Sequence, residues 1–200
     1  MIRNEKLLKR LSIIIFIIYI VLLFWVIMFK CNLITSFTDT YLFFKDFTIM
    51  ERIEFHLIPF KDYVEGPFIS QINNIIQDDI LNLALFIPLG LYLTYFLKHK
   101  RIVKVILISF ILSSFFEIFQ LFSLIGSFST KDVITNTLGG LVGYFVCKII
   151  IKEHNSTTKI KILNIISIIV IILFIPVVIY AVLNTLKHID LYIDILKRAY

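Results

Sequence analysis

Apolar residues fall in five long runs along this chain, separated by short polar segments that carry most of the charge. The runs cover about 11–29, 80–97, 102–125, 132–151 and 162–186. Each approaches or exceeds the roughly 18–20 apolar residues that carry a helix across a bilayer. The pattern predicts an all-α, polytopic transmembrane helix bundle of about five spans. No internal repeat or linker divides it, so residues 1–200 read as a single integral membrane domain.

The connection 30–79 is the one long polar-containing segment. Within it Phe68, Ile69, Ile72, Ile75, Ile76 and Ile80 recur at helical spacing, which predicts an outer amphipathic helix between spans 1 and 2. His56–Phe60, reading HLIPF with Pro59 near its end, is expected to be a turn packed at the interface.

Charge orients the runs. Arg3, Lys6, Lys9 and Arg10 precede the first run against Glu5 alone. That run is too long for a signal-peptide core, and no small-residue cleavage site follows it. Lys98, Lys100, Arg101 and Lys104 lie between spans 2 and 3, and 152–161 is basic again. Basic loops stay on the cytoplasmic side, so the N-terminus is expected inside and the C-terminus outside, in a multi-pass cell-membrane protein. Lys187, Lys197 and Arg198 slightly exceed Asp190 and Asp194 in the tail, but three stronger clusters outvote them. The 30–79 connection is net acidic, as the outer face prefers: Lys30, Lys45, Arg52 and Lys61 against Asp39, Asp46, Glu51, Glu54, Asp62, Glu65, Asp78 and Asp79.

Composition agrees. The 200 residues are 59% hydrophobic with a net charge of +6 and a mean hydropathy of +0.93, more apolar surface than a soluble domain of this size can hide. The positive charge sits in short clusters between spans, so nucleic acid is not the expected partner. Cys31 and Cys147 fall near opposite faces and are not expected to pair. No metal-type spacing occurs, and neither metal nor cofactor is expected.

Polar residues inside the spans are the candidate chemistry. An ionisable group within a span costs a few kcal/mol or more unless it faces protein or water. Glu117 sits among Phe and Ile on the third span, with Gln120 three residues on and sharing its face. At about 1.5 Å per residue, the two lie roughly 12 and 8 Å from the outer end. Asp132 and Asn136 share a face at the start of the fourth span, and Asn82 lies near the start of the second. Glu117, Gln120, Asp132, Asn136 and Asn82 are therefore expected to form a polar pocket between helices in the outer half of the bilayer. Gly139, Gly140 and Gly143 read as a close-packing face. Pro88 and Gly90, mid-way along the second span, are expected to join that helix packing, with Pro88 and Pro176 as kinks.

Three blocks, in order, resemble the VanZ-like family of membrane proteins over about 54–147. The first is HLIPFKDYV, with His56, Pro59 and Phe60. The second is NLALFIPLGLYL, covering Asn82, Phe86, Pro88 and Gly90. The third is an ExxQ pair at Glu117 and Gln120 followed by DxxxNTLGGLxGY, covering Asp132, Asn136, Gly139 and Gly143. Gly126, Ser129 and Lys131 stand where the family commonly has an arginine and further aspartates. The resemblance implies an association with reduced susceptibility to teicoplanin, a lipid-tailed glycopeptide acting at the outer membrane surface.

Three functions follow as expectations. The first is a non-enzymatic envelope protein that binds a membrane lipid or a lipid-linked envelope amphiphile in the outer pocket. The second is an intramembrane enzyme acting on a lipid head group, with Glu117 or Asp132 as general acid or base. Ser129 and Thr130 lie near Asp132 but lack a histidine partner unless His56 folds in. The third is a small proton-coupled carrier using Glu117, against which stand few spans and no repeat. The first is preferred, with no catalytic residue assigned.

Overall fold

A computed structural model of the protein describes residues 2–29, 48, 50–51, 79–97, 102–123, 128–153 and 156–187, with 190, 193 and 197 as single positions. Five helices make up nearly all of this, with no strand among the described residues: α1 (Ile2–Phe29), α2 (Leu81–Phe96), α3 (Ile102–Phe122), α4 (Thr130–Glu153) and α5 (Ser156–Lys187). The amphipathic segment expected before span 2, the HLIPF turn and Cys31 lie outside the described residues, apart from Asp79 and Ile80 at the segment's end.

Stretches of α1, α3, α4 and α5 are long and apolar enough to cross a membrane: Lys6–Met28, Ile102–Phe122, Thr130–Ile150 and Thr157–Tyr180. Their outward faces are apolar. On α3, Val103, Leu107, Phe110, Ile111, Phe115, Ile118 and Phe122 form an exposed stripe. Ser109, Ser113, Glu117 and Gln120 are buried on the other side. Water would reverse that arrangement. A lipid surround requires it, because hydrocarbon cannot satisfy a polar side chain.

The second run behaves differently. α2 has only 16 residues and lies inside the bundle. Leu85, Phe86, Pro88, Leu89, Gly90, Leu91, Tyr92 and Thr94 are all buried. Pro88 has no N–H to offer the Ala84 carbonyl and crowds that turn. The next carbonyl, of Leu85, accepts a hydrogen bond from the Tyr19 hydroxyl of α1. Phe16 of α1 packs its ring 4.7 Å from that of Tyr92. Tyr19 and Leu23 continue the contact into a core with Phe86, Leu89, Phe116 and, from α5, Phe174.

α2 and α4 run parallel, with their backbones in contact. A methyl group built on Gly90 would strike the Gly140 carbonyl oxygen, one on Gly139 the Leu83 carbonyl, and one on Gly143 the Ile87 carbonyl. A methyl on Gly140 would strike the Ser109 hydroxyl of α3. Three helices therefore meet around Gly140, at a separation that only residues without a Cβ permit. Hydroxyls deeper in the bundle return to their own helix: Thr94 donates to Gly90 O at 2.7 Å and Ser167 to Leu163 O at 3.0 Å. Across the far end, Tyr92 donates to Asn164 Oδ1 of α5 at 3.4 Å. Cys147 is buried and free.

In the long connection, Thr48 and Glu51 form a reciprocal helix-start box. The Thr48 N–H and hydroxyl donate to Glu51 Oε2 at 2.7 and 2.8 Å, and the Glu51 N–H donates to Thr48 Oγ1 at 3.3 Å. The Thr48 backbone bond, then its hydroxyl, hold the Glu51 carboxyl below the usual glutamate range.

Two outcomes follow. Gly90→Ala and Gly140→Ala should each destabilise the protein by about 1–3 kcal/mol through overpacking, read as thermal unfolding in lipid nanodiscs. Ile111→Val, on the lipid-facing stripe, should change stability by no more than about 0.5 kcal/mol. Because the Glu51 carboxyl is depressed in the folded chain, its contribution is present above the unfolded value and fades as pH falls through the folded one. Carboxyl NMR should find Glu51 titrating below an ordinary glutamate, and Thr48→Ala should return it to the ordinary range.

Candidate functional site

Where α1 and α3 finish and α2 and α4 begin, the core turns polar. α3 supplies this with a stripe of spacing four, four and three: Ser109, Ser113, Glu117 and Gln120. α4 answers with Asp132, Thr135 and Asn136 on its inner face, directly ahead of the glycines. Because the glycines hold α4 so close to α2 and α3, these polar groups have little room and pair across the seam. Asn136 Nδ2 donates to Ser113 Oγ at 2.9 Å.

Glu117 is only 1% exposed. Its Oε2 accepts the backbone N–H of Ser129 at 2.8 Å. Ser129 immediately precedes α4, and its own Oγ accepts the Asp132 N–H at 3.2 Å. This is the geometry of a capped helix start, in which the first amides lack intrahelical partners. In a box formed within one segment, the third helical residue would reach back to the cap residue's N–H. Here the neighbouring helix provides that acceptor. A carboxylate at the positive end of α4 is also favoured by the helix dipole.

Gln120 is placed with Glu117 by sequence, but the two diverge. Its Nε2 donates to the Ile27 carbonyl, near the end of α1, at 2.8 Å. Positions three apart on a helix differ by about 60° in direction. On α3 that angle separates the neighbour α4 from the neighbour α1. One end of the bundle is thus tied by two side chains of α3, each closing an open backbone group of another helix.

Lys131 and Asp79 add an ion pair between the starts of α4 and α2, Nζ to Oδ1 at 3.2 Å. Both side chains are mostly buried. Asn82, in the first turn of α2, is half-buried and makes no side-chain hydrogen bond among the described residues. Of the sequence-selected set, Glu117, Asp132 and Asn136 line the α3–α4 seam, Gln120 turns to α1, and Asn82 stands apart. His56, Pro59 and Phe60 lie outside the described residues.

Among the described residues, the hydroxyls of Ser109 on α3 and Thr130 at the start of α4, together with the Asn136 amide oxygen, are buried without a hydrogen-bond partner. Asn136 is 1% exposed, and its Oδ1 has no hydrogen-bond partner. Asp132, one turn nearer the helix start, is 6% exposed. Its backbone N–H and carbonyl are engaged, and its carboxylate makes no hydrogen bond or ion pair among the described residues. Among the described residues, no group of three His, Cys, Asp or Glu could hold a metal ion.

Ser113, Lys131 and Asp79 enter the site without having been selected from sequence as site residues. The signal for Ser113 was its place on the Ser109–Glu117 stripe. A lone serine in an apolar span carries little weight until Asn136 is seen opposite it. The pairing of Asp79 with Lys131 has no sequence signal, since 52 positions separate them.

Apolar outward faces, polar groups turned inward and four helices of spanning length define a polytopic integral membrane protein. Residues 16–152 match the family described as VanZ/LLP1, and the chain belongs to that family. It is also 29% identical over 156 residues to Protein VanZ of Enterococcus faecium, across 78% of this chain and 85% of that protein. No solved structure matches the chain.

Removing the Glu117 acceptor should expose the cap. Glu117→Ala should cost about 1–3 kcal/mol, because the Ser129 N–H loses its partner in a buried setting. Glu117→Gln, which keeps an acceptor but not the charge, should cost less. Hydrogen exchange at the first turn of α4 should rise in the same order.

Proposed function

We propose that the protein works in the cell envelope, lowering susceptibility to lipid-tailed glycopeptides such as teicoplanin. It does so by holding an amphiphile, a membrane lipid or a lipid-linked wall component at the polar end of the α3–α4 seam. The observation that carries this reading is the gathering of the buried carboxyl groups of Glu117 and Asp132 with Asn136 at one end of the bundle. An amphiphile has the matching division, with a polar head for the seam and chains for the surrounding lipid. Membership in the VanZ/LLP1 family supports the link to resistance.

In this reading the polar end faces outward, with the N-terminus in the cytoplasm and the C-terminus outside. Charge supports that orientation. Lys6, Lys9 and Arg10 of α1, Lys104 of α3, Lys148 of α4 and Lys159 and Lys161 of α5 all lie toward the opposite end of their helices. Basic residues accumulate on the cytoplasmic side. The protein then acts by binding, with no bond made or broken at Glu117, whose carboxylate serves the α4 cap.

The test is growth in teicoplanin of a susceptible host expressing the parent chain, Glu117→Gln or Asn136→Ala at matched membrane levels. The parent should raise the inhibitory concentration, Asn136→Ala should abolish the increase, and Glu117→Gln should reduce it. No increase with the parent chain would remove the resistance reading.

A further inference from the structure

We infer that the basic rim of α4 and α5, at the end of the bundle opposite the α3–α4 seam, is a docking surface for an anionic phospholipid. This surface is separate from the seam and does not rest on the binding reading above. Two independent features point to it: the positive charge concentrated at that end, and the exposed apolar stripes that lead away from it.

Charge is divided unevenly along the chain. Segments 1–10, 98–104 and 148–161 hold 12 Lys and Arg against Glu5 and Glu153 alone, a net of +10, with His99 and His154 beside them. The whole chain carries +6, which leaves −4 for everything else. Basic loops kept on one side fix orientation, and that needs only their places in the sequence. The fold does more. Leu91 of α2, Cys147 of α4 and Leu163 of α5 pack into one cluster. Lys148 directly follows Cys147, and Lys159 stands one turn before Leu163 on the same face of α5. The two helices thus bring these ammonium groups to within about one turn of the same level. Lys148 is exposed, its Nζ 5.5 Å from the centre of the Tyr144 ring. Lys159 is half-buried and Lys161 exposed. None of the three makes an ion pair among the described residues.

Beyond these amines the helices offer hydrocarbon-compatible surface. On α4, Val142, Phe145 and Ile149 are exposed beside Lys148. On α5, Ile165, Ile169 and Ile172 are exposed and continue from Lys161 at spacing four, four and three. A phospholipid has the matching parts, with chains to lie along the stripes and a phosphate at the level of the amines. The surrounding bilayer supplies the space, so no cavity is needed. Basic residues at a membrane surface attract anionic lipid. A zwitterionic head group carries its own cation, which meets like charge at this rim. An acidic protein would match the charge but not the stripes, which lie at the depth of the lipid chains.

The experiment uses the full chain in an uncharged detergent, titrated with dioleoyl phosphatidylglycerol or dioleoyl phosphatidylcholine, with bound lipid counted by native mass spectrometry. Phosphatidylglycerol should bind about fivefold more tightly or better, and the preference should shrink as ionic strength rises. Lys148→Gln and Lys159→Gln should each weaken phosphatidylglycerol by about two- to fivefold, and together by more. Lys187→Gln removes the same charge at the other end of α5 and should leave binding unchanged. Helix content and melting without lipid are measured first, so that misfolding is read separately. Lys148 is exposed, and its variant carries the comparison if the half-buried Lys159 does not tolerate exchange. Equal binding of phosphatidylcholine, no loss in the folded variants, or an equal loss in Lys187→Gln would overturn the inference. Displacement of the lipid by sodium phosphate would reduce the surface to an ion site, and polyglutamate bound in preference to phosphatidylglycerol would assign it to an acidic protein; either result overturns the inference too. Teicoplanin susceptibility tests the opposite end of the bundle, so the two readings stand or fall separately.

Discussion

The backbone contact between α2 and α4 is the constraint on which the other interactions depend. Lipid gives helices little hydrophobic reason to associate, so close packing and hydrogen bonds must do it. Gly139, Gly140 and Gly143 let α4 lie against the carbonyls of Leu83 and Ile87 and the Cα of Gly90. Ser109 closes on Gly140 from the third side. That contact fixes the height of α3 against α4. Ser113 then faces Asn136, and Glu117 reaches Ser129.

The buried carboxylate is explained by what it completes. A helix starting within the bundle exposes amides that no lipid can satisfy, and an isolated carboxylate there is equally unwelcome. Placed together, Glu117 and the start of α4 remove each other's deficit. Gln120 does the same for the end of α1 through the Ile27 carbonyl. α3 therefore acts as a tie between two helix ends, apolar on its lipid side and hydrogen-bonding on its inner side.

Much of this was legible in the chain. The five apolar runs became five helices, and the third and fourth begin within two residues of where hydropathy places them. Starts differ where a helix opens with polar residues. α1 begins at Ile2 and α5 at Ser156, because a helix continues past the hydrocarbon while an apolar run stops at it. α4 starts at Thr130 because Ser129 caps it, a signal hydropathy does not carry. The inward position of Glu117, Asp132 and Asn136 followed from the cost of leaving them in lipid. Their partners did not. Helical spacing says which residues share a face, but not which neighbour that face meets, and so Glu117 and Gln120 separated. The glycine face was readable as close packing, though its register against Leu83, Ile87 and Gly90 depends on the three-helix geometry.

The short central helix has a further consequence for the surrounding bilayer. The sixteen residues of α2 reach about 24 Å at the usual helical rise, and Ile80 ahead of them already has helical backbone angles. Neighbouring helices shield most of α2, but its first turn, with the exposed Ile80 and Leu81, meets the surroundings beside the Asp79–Lys131 pair. The rim of the bundle at this helix start therefore sets an ion pair and exposed aliphatic side chains side by side, so charge and hydrocarbon-compatible surface share one short stretch of its edge.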